Sequence, residues 1–180
     1  MKRCSWVVES SEIYKDYHDK EWGVPVYDDR LLFEMLVLEC FQSGMNWLTI
    51  LKRRENFRKA FDNFDVEKVS KYDMNKIDEL LNDSGIIRNK YKIAYTINNA
   101  KVFIDIQKEF GSFSNYIWSF TGGKVIKNTE GKIYTRTNLS DRVAVDLKKR
   151  GMKLLGSITV YAYLQAIGIV DDHEKECFKY

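Results

Sequence analysis

The sequence predicts an all-α fold, and three observations predict it. Apolar residues recur at helical spacing through most of the chain. Strand-like alternation is nearly absent. Capping residues and glycines fall where the apolar windows begin and end. With 180 residues, 44% of them hydrophobic and 14% aromatic, the chain can bury a real core. No repeat, low-complexity tract or Pro/Ser-rich linker divides it, so residues 1–180 are read as a single helical domain.

Near the start, Tyr14 and Tyr17 stand three apart and share a helical face. Asp28 or Asp29 can cap a segment running to Gly44. Its apolar residues (Leu31, Leu32, Phe33, Met35, Leu36, Val37, Leu38) point to nearly every side, as in a central, buried helix. Asn46 opens a second helix with an inner stripe of Trp47, Ile50, Leu51, Phe57 and Phe61. From Asp73 a short helix carries Met74, Ile77, Leu80 and Leu81, and Gly85 stops it. Asn89 caps a long helix with Ile93, Ile97, Ala100 and Ile104 at helical spacing, closed by Gly111. These two helices, over residues 73–110, read as a helical hairpin about Gly85. Ser112 or Ser114 starts a short helix through Trp118, and Thr121 to Asn138 reads as a loop or short hairpin. Ser140 begins a helix whose last turn, Lys148-Lys149-Arg150, suits the helix dipole, and Ser157 caps a last apolar helix ending at Gly168.

Composition excludes several classes. The 29 basic and 26 acidic residues leave a formal charge of +3, which neither demands nor excludes a nucleic-acid partner. No window approaches the ~18 uninterrupted apolar residues of a membrane helix, and the first residues hold no apolar signal region. Three cysteines, Cys4, Cys40 and Cys177, are too few and too odd for a disulfide framework, so reduced thiols in the cytoplasm and a monomer with no membrane partner are expected.

Four features could carry chemistry. Cys4 and His18 lie at one end of the chain, and His173 and Cys177 at the other, four residues apart and on one face if that segment is helical. Thiolate and neutral imidazole are the ligands tetrahedral zinc prefers, and two of each would fill a closed structural site. The alternative is coincidence, because the Cys4–His18 gap is no standard finger spacing. Cys40 reads as a small core residue. Glu39 falls on the apolar stripe of Met35 and Leu36. It is either a desolvated site carboxylate, a solvated one at the helix end, or the partner of an arginine such as Arg88. Trp6, Tyr14, Tyr17, Trp22 and Trp47 are either core or the walls of a site for a flat, cationic guest. The turn at Gly85, followed by Arg88, Lys90 and Lys92, could grip a phosphate. The run Lys52-Arg53-Arg54 reads more simply as a solvated face.

Longer strings then draw these features together. They are Arg3-Cys4 with Trp6, Tyr17-His18-Asp19 followed by Glu21-Trp22-Gly23-Val24-Pro25, Leu38-Glu39, and Gln42-Ser43-Gly44-Met45-Asn46-Trp47. Gly85-Ile86-Ile87-Arg88, Phe113 to Phe120, Leu147 to Gly151 and Asp172-His173 with Cys177 continue the series. Spread in order over essentially the whole chain, they resemble the 3-methyladenine DNA glycosylase I family of the helix-hairpin-helix glycosylase superfamily. The resemblance implies a base-excision repair enzyme acting on alkylated double-stranded DNA. Such an enzyme flips out 3-methyladenine, hydrolyses its N-glycosidic bond and releases the free base, leaving an abasic site.

The resemblance also implies one structural Zn2+ on Cys4, His18, His173 and Cys177, joining the two ends. It implies a base pocket of Trp6, Tyr14, Tyr17, Trp22, Glu39 and Trp47, with Glu39 reading the base edge and standing as the one candidate catalytic group. Gln42, Gly44 and Met45 would probe the gap left in the duplex, with Gly85 and Arg88 contacting DNA from the hairpin. Met45 stands where leucine is usual, the Asn82–Ile87 turn is a poor copy of the superfamily's Gly-x-Gly, and the superfamily's catalytic aspartate has no counterpart. Two other classes are a zinc-stapled DNA-backbone binder and a hydrolase of small glycosides. A buried acid among aromatics disfavours the first, and the lack of a second positioned carboxylate disfavours the second.

Overall fold

The computed structural model describes residues 1–180. Its helices are α1 (Glu12–Lys20), α2 (Asp29–Gln42), α3 (Trp47–Ala60), α4 (Val66–Val69), α5 (Met74–Asn82), α6 (Lys90–Phe110), α7 (Phe113–Ser119), α8 (Asn138–Lys149) and α9 (Ser157–Ala166). A 3-10 turn covers Asp62–Phe64, and two-residue strands form at β1 (Ile126–Lys127) and β2 (Val170–Asp171). The chain is helical, as its periodicity predicts. No helix is long and apolar enough to cross a membrane.

α2 is the axis. Leu32, Phe33, Leu36, Leu38 and Phe41 are fully buried on its several sides, against α3, α6, α7 and α9. Both aspartates at its start are used. Asp28 accepts from the Leu31 N–H as the cap. Asp29 accepts from Phe113 N–H and Ser114 N–H at 2.8 Å each, so it caps α7 from a distance. Asn46, Asp73, Asn89 and Ser112 cap α3, α5, α6 and α7 through their side chains, as expected of short polar residues before an apolar stripe. Gly111 closes α6 at φ +82°.

The structure departs from the sequence reading in four places. α5 ends at Asn82 with Asp83 as its cap, short of Gly85. α8 starts at Asn138 under a Thr137 cap, and Ser140 is instead the reciprocal partner, its Oγ accepting from Thr137 N–H at 2.8 Å. Gly156 precedes α9, and the Ser157 hydroxyl makes no cap; it meets Ser140 Oγ at 2.8 Å across the α8–α9 contact. Thr121 to Asn138 contains no hairpin. Its strand β1 pairs in parallel with β2, Ile126 opposite Val170 and Lys127 opposite Asp171, from beyond α9.

That ladder begins a closure of the chain's last segment over its first. Gly23 N–H donates to Gln165 O and Val26 N–H to Ile167 O, each at 3.0 Å. Gly168 sits at φ +72°, and a Cβ there would stand 2.2 Å from the Val24 carbonyl carbon. Only glycine fits both the backbone angle and the approach. Phe178 N–H then donates to Lys2 O at 2.9 Å.

Candidate active site

A cavity of about 210 Å3 opens where α1, α2, the start of α3 and α9 converge. All six residues expected of the base pocket line it, joined by Gln42, Ala162 and Gln165. α1 turns Tyr14 and Tyr17 inward from one face. Trp6 packs against Tyr14 at 5.2 Å and Trp22 at 4.9 Å between ring centroids, and Tyr17 against Trp47 at 5.3 Å. The Trp47 indole N–H is buried without a partner. A larger cavity of about 520 Å3 shares Trp6, Trp22 and Gln165, but its acids are Asp172, Glu174 and Glu176 and it lacks Glu39 and both tyrosines of α1, so the smaller one is the chemical candidate.

Glu39 is 4% exposed. Desolvation alone pushes its carboxyl up to about 8, with neither a neighbouring cation nor a hydrogen bond opposing it. The solvated reading and the Arg88 pairing are both corrected by this. The ion-paired acid of α2 is Glu34, fully buried and gripped by Arg54 Nε at 2.6 Å, Arg58 Nη2 at 2.7 Å and Arg30 Nη1 at 3.0 Å. Burial pushes Glu34 up, but the guanidinium groups of Arg58 and Arg54 carry it below the ordinary carboxylate range. Arg54 also reaches Glu21 at 2.7 Å, tying the end of α1 to α2. The Lys52-Arg53-Arg54 run is therefore not one solvated face. Arg54 enters this network, Arg53 donates to Ser84 O at 2.9 Å, and only Lys52 is exposed.

At the other side of Trp22, Cys4, His18 and Cys177 converge, with ligand atoms within 4.8 Å of one another. The segment from His173 to Cys177 is extended and then turned, so the helical spacing does not apply and turns bring these side chains inward. His173 lies beside the cluster, its ring 5.2 Å from that of His18. The donor set fits a metal. Nδ1 of His18 donates to Asp19 at 2.7 Å and Nδ1 of His173 to Asp171 at 2.6 Å, which leaves each Nε2 as the ligating atom. The His173 Nε2 is buried with no partner. Backbone N–H groups of Glu174 and Lys179 donate to the Cys4 and Cys177 sulfurs at 3.4 Å. Cys40 stays apart in the core.

The loop after α2 is tight. Met45 N–H donates to Gln42 O at 2.7 Å, and Gln42 Nε2 donates to Met45 O at 3.2 Å. Gly44, at φ +79°, is exposed with nothing within 4 Å of a built Cβ, and Met45 is half-buried. At the hairpin, the Gly85 N–H donates to Asp83 Oδ1 at 2.7 Å. That amide is occupied within its own turn and not free for a phosphate, whereas Arg88 is exposed.

Sequence reasoning missed Gln165 and Ala162 in the pocket, and Asp19 and Asp171 behind the histidines. An amide side chain in the last, apolar turn of α9, beside Tyr163, Leu164 and Ala166, was the available signal for Gln165. A carboxylate one or two positions from each histidine was the signal for the aspartates.

Comparison with known proteins agrees with this geometry. The chain is 43% identical over 178 residues to the DNA-3-methyladenine glycosylase of Haemophilus influenzae, covering 97% of this chain and 96% of that protein. It is 40% identical to DNA-3-methyladenine glycosylase 1 of Escherichia coli, covering 100% and 97%. A crystal structure of a 3-methyladenine DNA glycosylase I variant in complex with 3-methyladenine superposes with a TM-score of 0.92 at 35% identity, over 99% of this chain and 97% of that one. Residues 6–180 match the methyladenine glycosylase family, and with this fold and these relatives the chain belongs to it.

Proposed function

We propose that this protein is a monofunctional DNA-3-methyladenine glycosylase of base-excision repair, hydrolysing the N-glycosidic bond of 3-methyladenine in alkylated duplex DNA. The observation that carries the reading is a buried, unpartnered Glu39 within an aromatic-walled cavity of about 210 Å3. The relatives named for this activity support it. A pure backbone binder has no use for such an acid.

The base is stacked inside a duplex, so its nucleotide must first be extruded, at a cost of a few kcal/mol. Gln42, Gly44 and Met45 would occupy the vacated gap. Methylation at N3 makes the nucleobase cationic, and Trp6, Tyr14, Tyr17, Trp22 and Trp47 attract a flat cation through their faces. Glu39 couples to that charge. Before the base enters it holds its proton near neutral pH; an arriving cation supplies the missing partner, so the proton passes to solvent water and the carboxylate forms as the base binds. Its oxygens then accept hydrogen bonds from the base edge. Adenine without the methyl group brings no charge and gains less from either interaction. The damaged base leaves as a neutral molecule, so no strong general acid is needed. Water attacks the sugar, with nearby DNA phosphates stabilising the cationic transition state.

Cys4, His18, His173 and Cys177 would hold one Zn2+, whose part is structural: it fastens the two ends of the chain behind the pocket. A monomer acting in the cytoplasm completes the proposal. The deciding assay treats duplex DNA with a methylating agent and resolves the released bases by chromatography. Release of free 3-methyladenine is expected, and DNA binding without base release would overturn the reading.

A further inference from the structure

α2 ends without a cap of the usual kind. Its last turn carries no basic residue, the Ser43 N–H closes on no carbonyl of the helix, and only Met45 N–H turns back, to Gln42 O at 2.7 Å. Those carbonyls concentrate the negative end of the helix dipole beside the loop of residues 43–46. Lys92 fills the deficit from another element. Its Nζ donates to Phe41 O and to Ser43 O, each at 2.7 Å, across 51 and 49 residues of sequence. It stands in the first turn of α6, the second helix of the hairpin, directly after the Asn89 cap.

We propose that Lys92 is a positioning residue for the duplex-probing loop, its ammonium fixing the Phe41 and Ser43 carbonyls so that Gly44 and Met45 project in one shape. This rests on the glycosylase reading above and deepens it. The neighbouring contacts make the loop depend on that clamp. Beyond α2, the Met45 backbone bonds to Gln42 alone, its N–H donating to Gln42 O and its carbonyl accepting from the Gln42 amide. Ser43 and Gly44 are exposed and touch little else. The hairpin on the other side is itself fixed to α3 by Arg53 on Ser84 O and Asn56 on Gly85 O. Lys92 thus links the part expected to meet the DNA backbone to the part expected to enter the base stack.

The test is Lys92→Met, which keeps the apolar stem and removes the three donors, with Lys92→Arg restoring the charge. Excision of 3-methyladenine from methylated duplex should slow about 10- to 100-fold in Lys92→Met, the equivalent of one charge-assisted hydrogen bond. Affinity for the free base, read by tryptophan fluorescence, should stay within about twofold, and Lys92→Arg should recover part of the rate. Unchanged excision would overturn the proposal. So would equal losses in excision and free-base affinity, which would mean a general packing role. Should the unmutated protein release no 3-methyladenine, the glycosylase reading fails instead. Lys92 is then judged on a duplex with an abasic site, which the Lys92→Met variant should bind about tenfold more weakly. Equal binding would overturn it.

Discussion

A carboxyl group that is 4% exposed and has no hydrogen-bond partner opposes folding whenever it is ionised. Glu39 stands at about 8 in the folded protein against an ordinary value of 4.5. Between those values the folded chain holds a proton that the unfolded chain has lost, so stability falls as pH rises through the window. Below about pH 4 both states are protonated and the effect is absent; above pH 8 it is complete. Glu39→Gln should therefore be more stable than the native protein at high pH, by at most about 5 kcal/mol, with the gap closing below pH 4. Denaturant melts at the two extremes measure this. The same substitution should weaken free 3-methyladenine binding about tenfold or more and leave duplex affinity nearly unchanged. Equal losses in both would remove Glu39 from base recognition.

Between elements, the tightest approach is that of Gly168 to the Val24–Pro25 peptide. Gly168→Ala forces a methyl into backbone that cannot yield and strains φ +72° besides. We expect a loss of about 3 kcal/mol or more, read as a lowered melting temperature. Most elements were legible in the sequence because their signals are local. Asp28, Asn46, Asp73, Asn89 and Ser112 each cap a helix within three residues of their own position. The start of α8 was misplaced because Ser140 is the inner member of a capping box with Thr137, and that of α9 because the Ser157 hydroxyl turns to Ser140 across the two helices. β1 was illegible because its partner strand lies beyond two helices. The same division holds at the site. Face and spacing singled out the aromatics and Glu39 but left core and solvated readings open until the resemblance joined them in one pocket, whereas Gln165 reaches the pocket from the far end of the chain. The occupation of the Gly85 amide by Asp83 is an Asx turn, a local signal present in Asp83-Ser84-Gly85 but passed over for the phosphate reading.

Across the whole molecule, the cysteine–histidine cluster and the pocket share a wall. Trp22 packs on Trp6 at 4.9 Å and on His173 at 4.8 Å, so the ring of an expected ligand supports an aromatic of the base site. Metal analysis should find about one zinc per chain. Cys177→Ser should lose it together with folding, and chelation of the native protein should lower both melting temperature and free-base affinity. A metal-free protein that folds stably and binds the base would refute the assignment. The closure of the last segment over the first also bears on how the protein is made. Synthesis runs from the N-terminal side, so Trp6, Tyr14, Tyr17, Glu39 and Trp47 emerge more than 100 residues before Gln165, Gly168 and His173. A nascent or prematurely terminated chain carries the recognition side chains without the wall that assembles them. Such fragments should be inert toward DNA, so the capacity to cut bases from the genome arrives only once the segment holding Gln165, Gly168 and His173 has been made.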